Sequence, residues 1–262
     1  MPLVYLDDLR LNYREQGNPK GSAVVFSHAL GTDLGLWDKV LPLLPQSLRL
    51  ICLDMRGHGL SDTPPPPYTM GALIRDAERM MDHLRVKDAV FVGLSIGGMI
   101  GQGLAVKRLD LIRALVLSNT ATKIGTTEIW AARIEAVRAG GMEAIADSTM
   151  ARWFSPAFRA GPAFDAVRAR FVAQRPEGWA GCAAAIAGTD FYTTTATLTL
   201  PTLCIAGSAD GATPPDLVSE TADLIKGSRF ALIRGAGHMP PVDRPDAFAA
   251  AVDGFLAEIA HA

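Results

Sequence analysis

The chain has 262 residues, 49% hydrophobic and 20% charged, with a formal net charge of −2. That length can bury a large core within one α/β domain, and the charge balance gives no basic field for nucleic acid. No apolar run is long enough to span a bilayer, the N-terminus lacks a signal-peptide pattern, and Cys52, Cys182 and Cys204 offer neither a disulfide frame nor zinc spacing, so a cytoplasmic protein without membrane attachment is expected.

In chain order, residues 3–5 and 11–15 read as an opening hairpin that turns at Asp7-Asp8. Apolar β-like runs follow at 23–27, 48–54, 89–92, 114–118, 202–206 and 228–233, most of them closed by turn residues. Helical spacing occupies 70–84, 98–106, 215–225 and 245–259. Strand–helix alternation predicts an α/β fold with a mostly parallel central sheet flanked by helices. Residues 121–195 break the rhythm. They are rich in Ala and Arg, lack β-like runs and carry Trp130, Trp153, Phe154, Phe158 and Trp179. This stretch is expected to be a helical cap inserted into a core formed by 1–120 and 196–262. Its aromatics serve either to roof a pocket or to hold the cap together.

The most specific local pattern is Val90-Phe91-Val92-Gly93-Leu94-Ser95-Ile96-Gly97-Gly98. A buried strand stops at a glycine, a serine follows, and two more glycines lead into a helix. This G-x-S-x-G pattern places a serine hydroxyl on a sharp, strained turn above the sheet, where flanking side chains would collide. Asp210 follows a second apolar run, in Gly207-Ser208-Ala209-Asp210, and His238 follows a third, in Gly235-Ala236-Gly237-His238. The order Ser, Asp, His is that of a catalytic triad in a sheet of this kind. Ser95 would attack a carbonyl, His238 would take and return the proton, and Asp210 would hold the imidazole tautomer. The competing readings are a turn serine, an aspartate shaping the turn before Pro214, and a structural histidine. The shared context and order favour the triad.

With these residues the chain resembles the α/β-hydrolase superfamily over essentially its whole length. Within it, the chain is most similar to 3-oxoadipate enol-lactone hydrolases of aromatic catabolism. The subfamily resemblance rests on Leu30-Gly31-Thr32-Asp33, Trp37-Asp38, Asp54-Met55-Arg56-Gly57-His58-Gly59, Asn119-Thr120-Ala121 and Lys123-Ile124-Gly125-Thr126. The resemblance implies an α/β-hydrolase fold and an oxyanion hole made from the backbone N–H groups of Leu30 and Ile96. It also implies that Trp130 and Arg133 contact a substrate carboxylate from the cap, with Arg152 a weaker candidate. The substrate would be a small-molecule lactone or ester, with no metal or organic cofactor needed. Oligomeric state is not legible.

The other histidines and carboxylates read as structural. His58 is expected to be a hydrogen-bonded loop residue, and Asp54, Arg56 and Asp62 to form one polar network around it. His28 is positional, while His83 and His261 are expected at the surface. Three alternatives share the machinery or the fold: a broad-range carboxylesterase, a carbon–carbon bond hydrolase, and a hydrolase-like receptor that binds without rapid turnover. Dehalogenases and epoxide hydrolases resemble this fold but carry an aspartate where Ser95 stands.

Overall fold

A computed structural model of the chain describes residues 3–6 and 8–261. Of the expected Asp7-Asp8 turn, Asp7 lies outside the described residues. Eight strands form one sheet: β1 (Leu3–Leu6), β2 (Leu9–Gly17), β3 (Ala23–Ser27), β4 (Arg49–Leu53), β5 (Ala89–Leu94), β6 (Ile112–Ser118), β7 (Thr202–Gly207) and β8 (Arg229–Ile233). Their order is β1-β2-β4-β3-β5-β6-β7-β8. The β1–β2 and β2–β4 pairs are antiparallel, and every pair from β4 onward is parallel. The central strands β3 and β5 are buried at every position, which is why they read as unbroken apolar runs rather than alternations.

Parallel strands need crossover helices, and those helices leave all the strand carboxyl ends on one edge. Helix α1 (Met70–His83) starts where the Thr69 hydroxyl accepts the Ala72 N–H. It buries Met70, Leu73, Ile74, Ala77, Met80 and Met81, a stripe at helical spacing. Helix α2 (Ile96–Lys107) is buried on nearly every side. Between β6 and β7 lie α3 (Thr127–Gly140), α4 (Glu143–Trp153), α5 (Pro156–Arg159), α6 (Phe164–Val172), α7 (Pro176–Ala187) and α8 (Tyr192–Thr195), with no strand among them. The chain closes with α9 (Pro215–Leu224), α10 (Pro240–Asp243) and α11 (Pro245–Glu258). None of the helices among the described residues is long and apolar enough to cross a membrane.

Two expectations are corrected. His261 is not a surface residue: it is buried, and its Nε2 lies 2.9 Å from the Ala23 carbonyl at the start of β3. A polar group in an apolar setting needs such a partner. Asp54, Arg56 and Asp62 do not bond to one another: Asp54 and Asp62 tie the loop after β4 to β2, and Arg56 ties it to α1. Asp54 accepts from Asn12 Nδ2 at 2.7 Å, Leu34 N at 2.7 Å and Leu60 N at 2.9 Å. Asp62 pairs with Arg10 on β2 at 2.7 Å. Arg56 pairs bidentately with Asp76 on α1 at 2.5 and 2.7 Å. His83 is exposed, as expected.

The Arg56–Asp76 pair is the more buried of the two ion pairs, and burial holds the Asp76 carboxyl above its usual range in spite of the guanidinium beside it. Removing Arg56 would strand a buried carboxyl. Arg56→Ala is expected to lower the unfolding free energy by about 3 kcal/mol. Urea denaturation at pH 7 reads this, and a loss below about 1 kcal/mol would refute the anchoring role.

Candidate active site

Strand β5 ends at Leu94 and α2 begins at Ile96, so Ser95 alone makes the turn. Its backbone is at φ 57°, ψ −119°, a left-handed conformation that side chains disfavour. Neighbouring backbone holds it there. The Ser95 N–H donates to the Ser118 carbonyl on β6 at 3.0 Å, and its own carbonyl accepts from Gly98 N at 2.9 Å and Thr120 Oγ1 at 2.6 Å. The flanking glycines are steric necessities. A Cβ on Gly93 would lie 2.3 Å from the Gly97 carbonyl oxygen, and one on Gly97 would lie 2.3 Å from that of Ser27.

Asp210 stands just beyond β7, with its carboxylate fully engaged. Oδ1 accepts from Ala212 N at 2.7 Å and Thr213 N at 3.1 Å. Oδ2 accepts from Asn119 Nδ2 at 2.8 Å and Thr213 Oγ1 at 2.7 Å, and faces His238 Nδ1 at 2.8 Å. Burial pushes this carboxyl up, but His238, Asn119 and the Ala212 amide outweigh it and leave it below the usual range. A carboxylate on Nδ1 implies that Nδ1 carries the proton and Nε2 is the free base. Ser95 and His238 line the same cavity; among the described residues no hydrogen bond joins them. Such contacts commonly tighten only when substrate binds.

The histidine loop is fixed from two sides. His238 N–H donates to the Trp153 carbonyl at 2.7 Å, and Gly237 N–H donates to Asp243 Oδ2 at 2.8 Å. The adjacent acid loop is tied to the same helix end, through Gly211 N–H on the Arg152 carbonyl at 2.9 Å. Asn119, Thr213, Thr120 and Asp243 were not assigned these parts from sequence. The available signal was the position of Asn119, at the carboxyl end of β6 between the serine and aspartate strands, with a φ of 47° that asparagine tolerates.

The loop carrying Leu30 is held by two buried histidines. His58 Nε2 accepts from Gly31 N at 3.0 Å, and His28 Nε2 accepts from Met55 N at 3.1 Å. Burial pushes His28 down to about 4 and His58 down to about 3, so both are neutral and can accept. His58 is therefore a loop residue with a specific load, the backbone of the loop that carries Leu30. The backbone N–H groups of Leu30 and Ile96 have no acceptor among the described residues. Leu30 and Ser95 border the cavity together, and Ile96 opens α2.

That cavity, of about 80 Å³, is completed by Trp130, Arg133, Thr149, Arg152, Trp153 and Trp179 from the inserted helices. The Arg133 guanidinium lies 4.8 Å from the Trp130 ring centroid. Burial and the neighbouring Arg152 push Arg133 down to about 10, and burial lowers Arg152 as well. Arg152 donates to Thr149 Oγ1 at 3.3 Å. Among the described residues, neither arginine has a carboxylate partner. Of the seven residues singled out from the sequence, Leu30, Ser95, Trp130, Arg133 and His238 line this cavity, Asp210 is bonded to His238 and Ile96 follows Ser95 at the start of α2; Arg152 lines the cavity as well.

Comparison with known proteins agrees with this architecture. The model of the alpha/beta hydrolase family matches residues 24–251. The chain is 34% identical to 3-oxoadipate enol-lactonase 2 of Acinetobacter baylyi, over 95% of this chain and 94% of the relative. A solved enol-lactonase from Burkholderia xenovorans LB400 superposes with a TM-score of 0.94 at 35% identity, covering 98% and 100% of the two chains. A hydrolase from Pseudomonas aeruginosa superposes with a TM-score of 0.93 at 37% identity, covering 97% of each.

Asp243 gives the site a pH signature. Burial outweighs the Gly237 amide and Arg244 and raises its carboxyl to about 6. The folded state therefore binds this proton more tightly than the unfolded chain. The resulting stabilisation is complete below about pH 4 and disappears as the pH rises through 6. Asp243→Asn keeps an acceptor for Gly237 without titrating. The stability of the parent relative to this variant is expected to fall by on the order of 2 kcal/mol between pH 4 and pH 7. Paired urea titrations check this, and a constant difference would refute it.

Proposed function

As the chain belongs to the alpha/beta hydrolase family, we propose that it opens the lactone of 3-oxoadipate enol-lactone to 3-oxoadipate by an acyl-enzyme route. Ser95 Oγ attacks the lactone carbonyl while His238 Nε2 takes its proton. The Leu30 and Ile96 amides stabilise the oxyanion of the tetrahedral intermediate. The ring C–O bond breaks, His238 returns the proton to the departing enol oxygen, and the enol tautomerises to the ketone. His238 then deprotonates a water that attacks the acyl-Ser95 ester, releasing the new carboxylate and restoring the hydroxyl. Asp210, held by Asn119 and Thr213, orients the imidazole and balances its charge. The route uses side chains and backbone alone, and a cytoplasmic location fits it.

The observation that carries the substrate class is the pair of half-buried arginines beside Ser95. Two guanidiniums partly removed from water, without carboxylate partners among the described residues, make a site that an anionic substrate completes. The lactone carries such a carboxylate away from its scissile ester, and Trp130 offers an aromatic face beside it.

The parent enzyme is expected to show a kcat/KM for the lactone at least 100-fold above that for p-nitrophenyl butyrate, by a margin of about 3 kcal/mol. Arg133→Ala and Arg152→Ala should each lower lactone kcat/KM about 10- to 100-fold, the range for a charged hydrogen bond, with under threefold change on the neutral ester. Equal losses on both substrates would remove the carboxylate-binding role. Efficient ester turnover with negligible lactone turnover would move the protein to the broad-range carboxylesterases. Ser95→Ala should abolish turnover while still binding the lactone; multiple turnover surviving in that variant would refute the serine mechanism.

A further inference from the structure

Beside the catalytic cavity lies a second one, of about 260 Å³, lined by Leu36, Phe154, Val167, Phe171 and Val242 among others. The charged groups at its border are occupied or outside. Asp33 is paired with Arg170, Asp38 with Arg14, and Lys39 is exposed. What remains inside is an apolar wall suited to a neutral hydrocarbon chain. Trp153 is common to both cavities. Its indole stacks on His238, centroids 5.9 Å apart with planes at 28°, and meets the Phe171 ring edge-on at 5.3 Å. Gly31, next to the oxyanion residue Leu30, also borders the second cavity, so the two spaces flank the place where an ester carbonyl would sit.

We propose that Trp153 is a specificity-determining partition: it keeps the catalytic cavity short and shuts off an adjoining apolar subsite that would take the aliphatic chain of a longer ester. The proposal rests on the reading of Ser95 and His238 as the hydrolytic pair. The chemistry is unchanged, since an ester and water still give an acid and an alcohol. Only the space available to the acyl chain differs. A few atoms of indole, rather than the rim of the protein, set the length limit. Adjacency decides the occupant: Trp153 borders both cavities, so the ligand whose chain would enter the second in place of the indole is one already anchored at Ser95.

The test compares kcat/KM for p-nitrophenyl butyrate and p-nitrophenyl octanoate in the parent, Trp153→Leu and Trp153→Ala, with octanoate binding by calorimetry as a readout that needs no turnover. Each newly buried methylene is worth about fourfold. The octanoate-to-butyrate ratio is therefore expected to rise at least tenfold in Trp153→Leu, whatever the absolute rates, and octanoate should bind at least tenfold tighter. Adding Val167→Trp, which fills the second cavity from α6, should cancel both gains. Trp153→Leu keeps most of the apolar packing, so it reports even where Trp153→Ala does not fold. An unchanged ratio and unchanged octanoate affinity in Trp153→Leu would overturn the proposal, as would gains that survive Val167→Trp. Tighter octanoate binding without hydrolysis of either ester by any form would uphold the partition and refute the hydrolytic reading instead.

Discussion

The backbone of Ser95 is held in a conformation that an isolated serine would leave, and the surrounding architecture is what keeps it there. The φ of 57° costs on the order of 1–3 kcal/mol. It is supported by a hydrogen bond to β6, three donors on its carbonyl, and packing so close that Gly93 and Gly97 have no room for a Cβ. Each support comes from a different part of the sheet and its first helices. The central parallel strands therefore do more than bury apolar surface: their spacing fixes one residue to a tolerance that a loop on its own would not provide.

The inserted helices are coupled to this frame through backbone as well as side chains. Two successive carbonyls at the end of α4 receive the N–H groups of Gly211 and His238. The side chains of those same two residues, Arg152 and Trp153, line the cavity. The cavity wall and the loops that carry Asp210 and His238 thus share one short segment. A displacement of α4 changes the pocket wall and the histidine together.

Much of this was legible in the sequence where the determinants are local. The elbow is a run of nine residues whose glycines are needed within that run, and the buried strands announce themselves as apolar blocks. Boundaries moved where local punctuation misled. Gly93 reads as the end of a strand that continues to Leu94, and the helix read from Gly98 already starts at Ile96. Partnerships across the chain were not legible. Asn119 meets Asp210 from 91 residues away, and Arg10 meets Asp62 from 52. His261 looks like a frayed tail until β3 supplies its partner. The place of Arg152 in the cavity wall was not legible either: a helical arginine faces solvent by default, and this one is half-buried at the end of α4.

The end of α4 has one more consequence. An α-helix carries about half a negative charge at its carboxyl terminus, where the last carbonyls lack helical partners. Arg152 sits in that last turn. The helix pole offsets part of its positive charge, by about 0.3–1 kcal/mol, which is less than a paired carboxylate would provide. The cavity wall is thus electrostatically tolerable yet under-neutralised: Arg152 is held half out of water, with no carboxylate paired to it among the described residues.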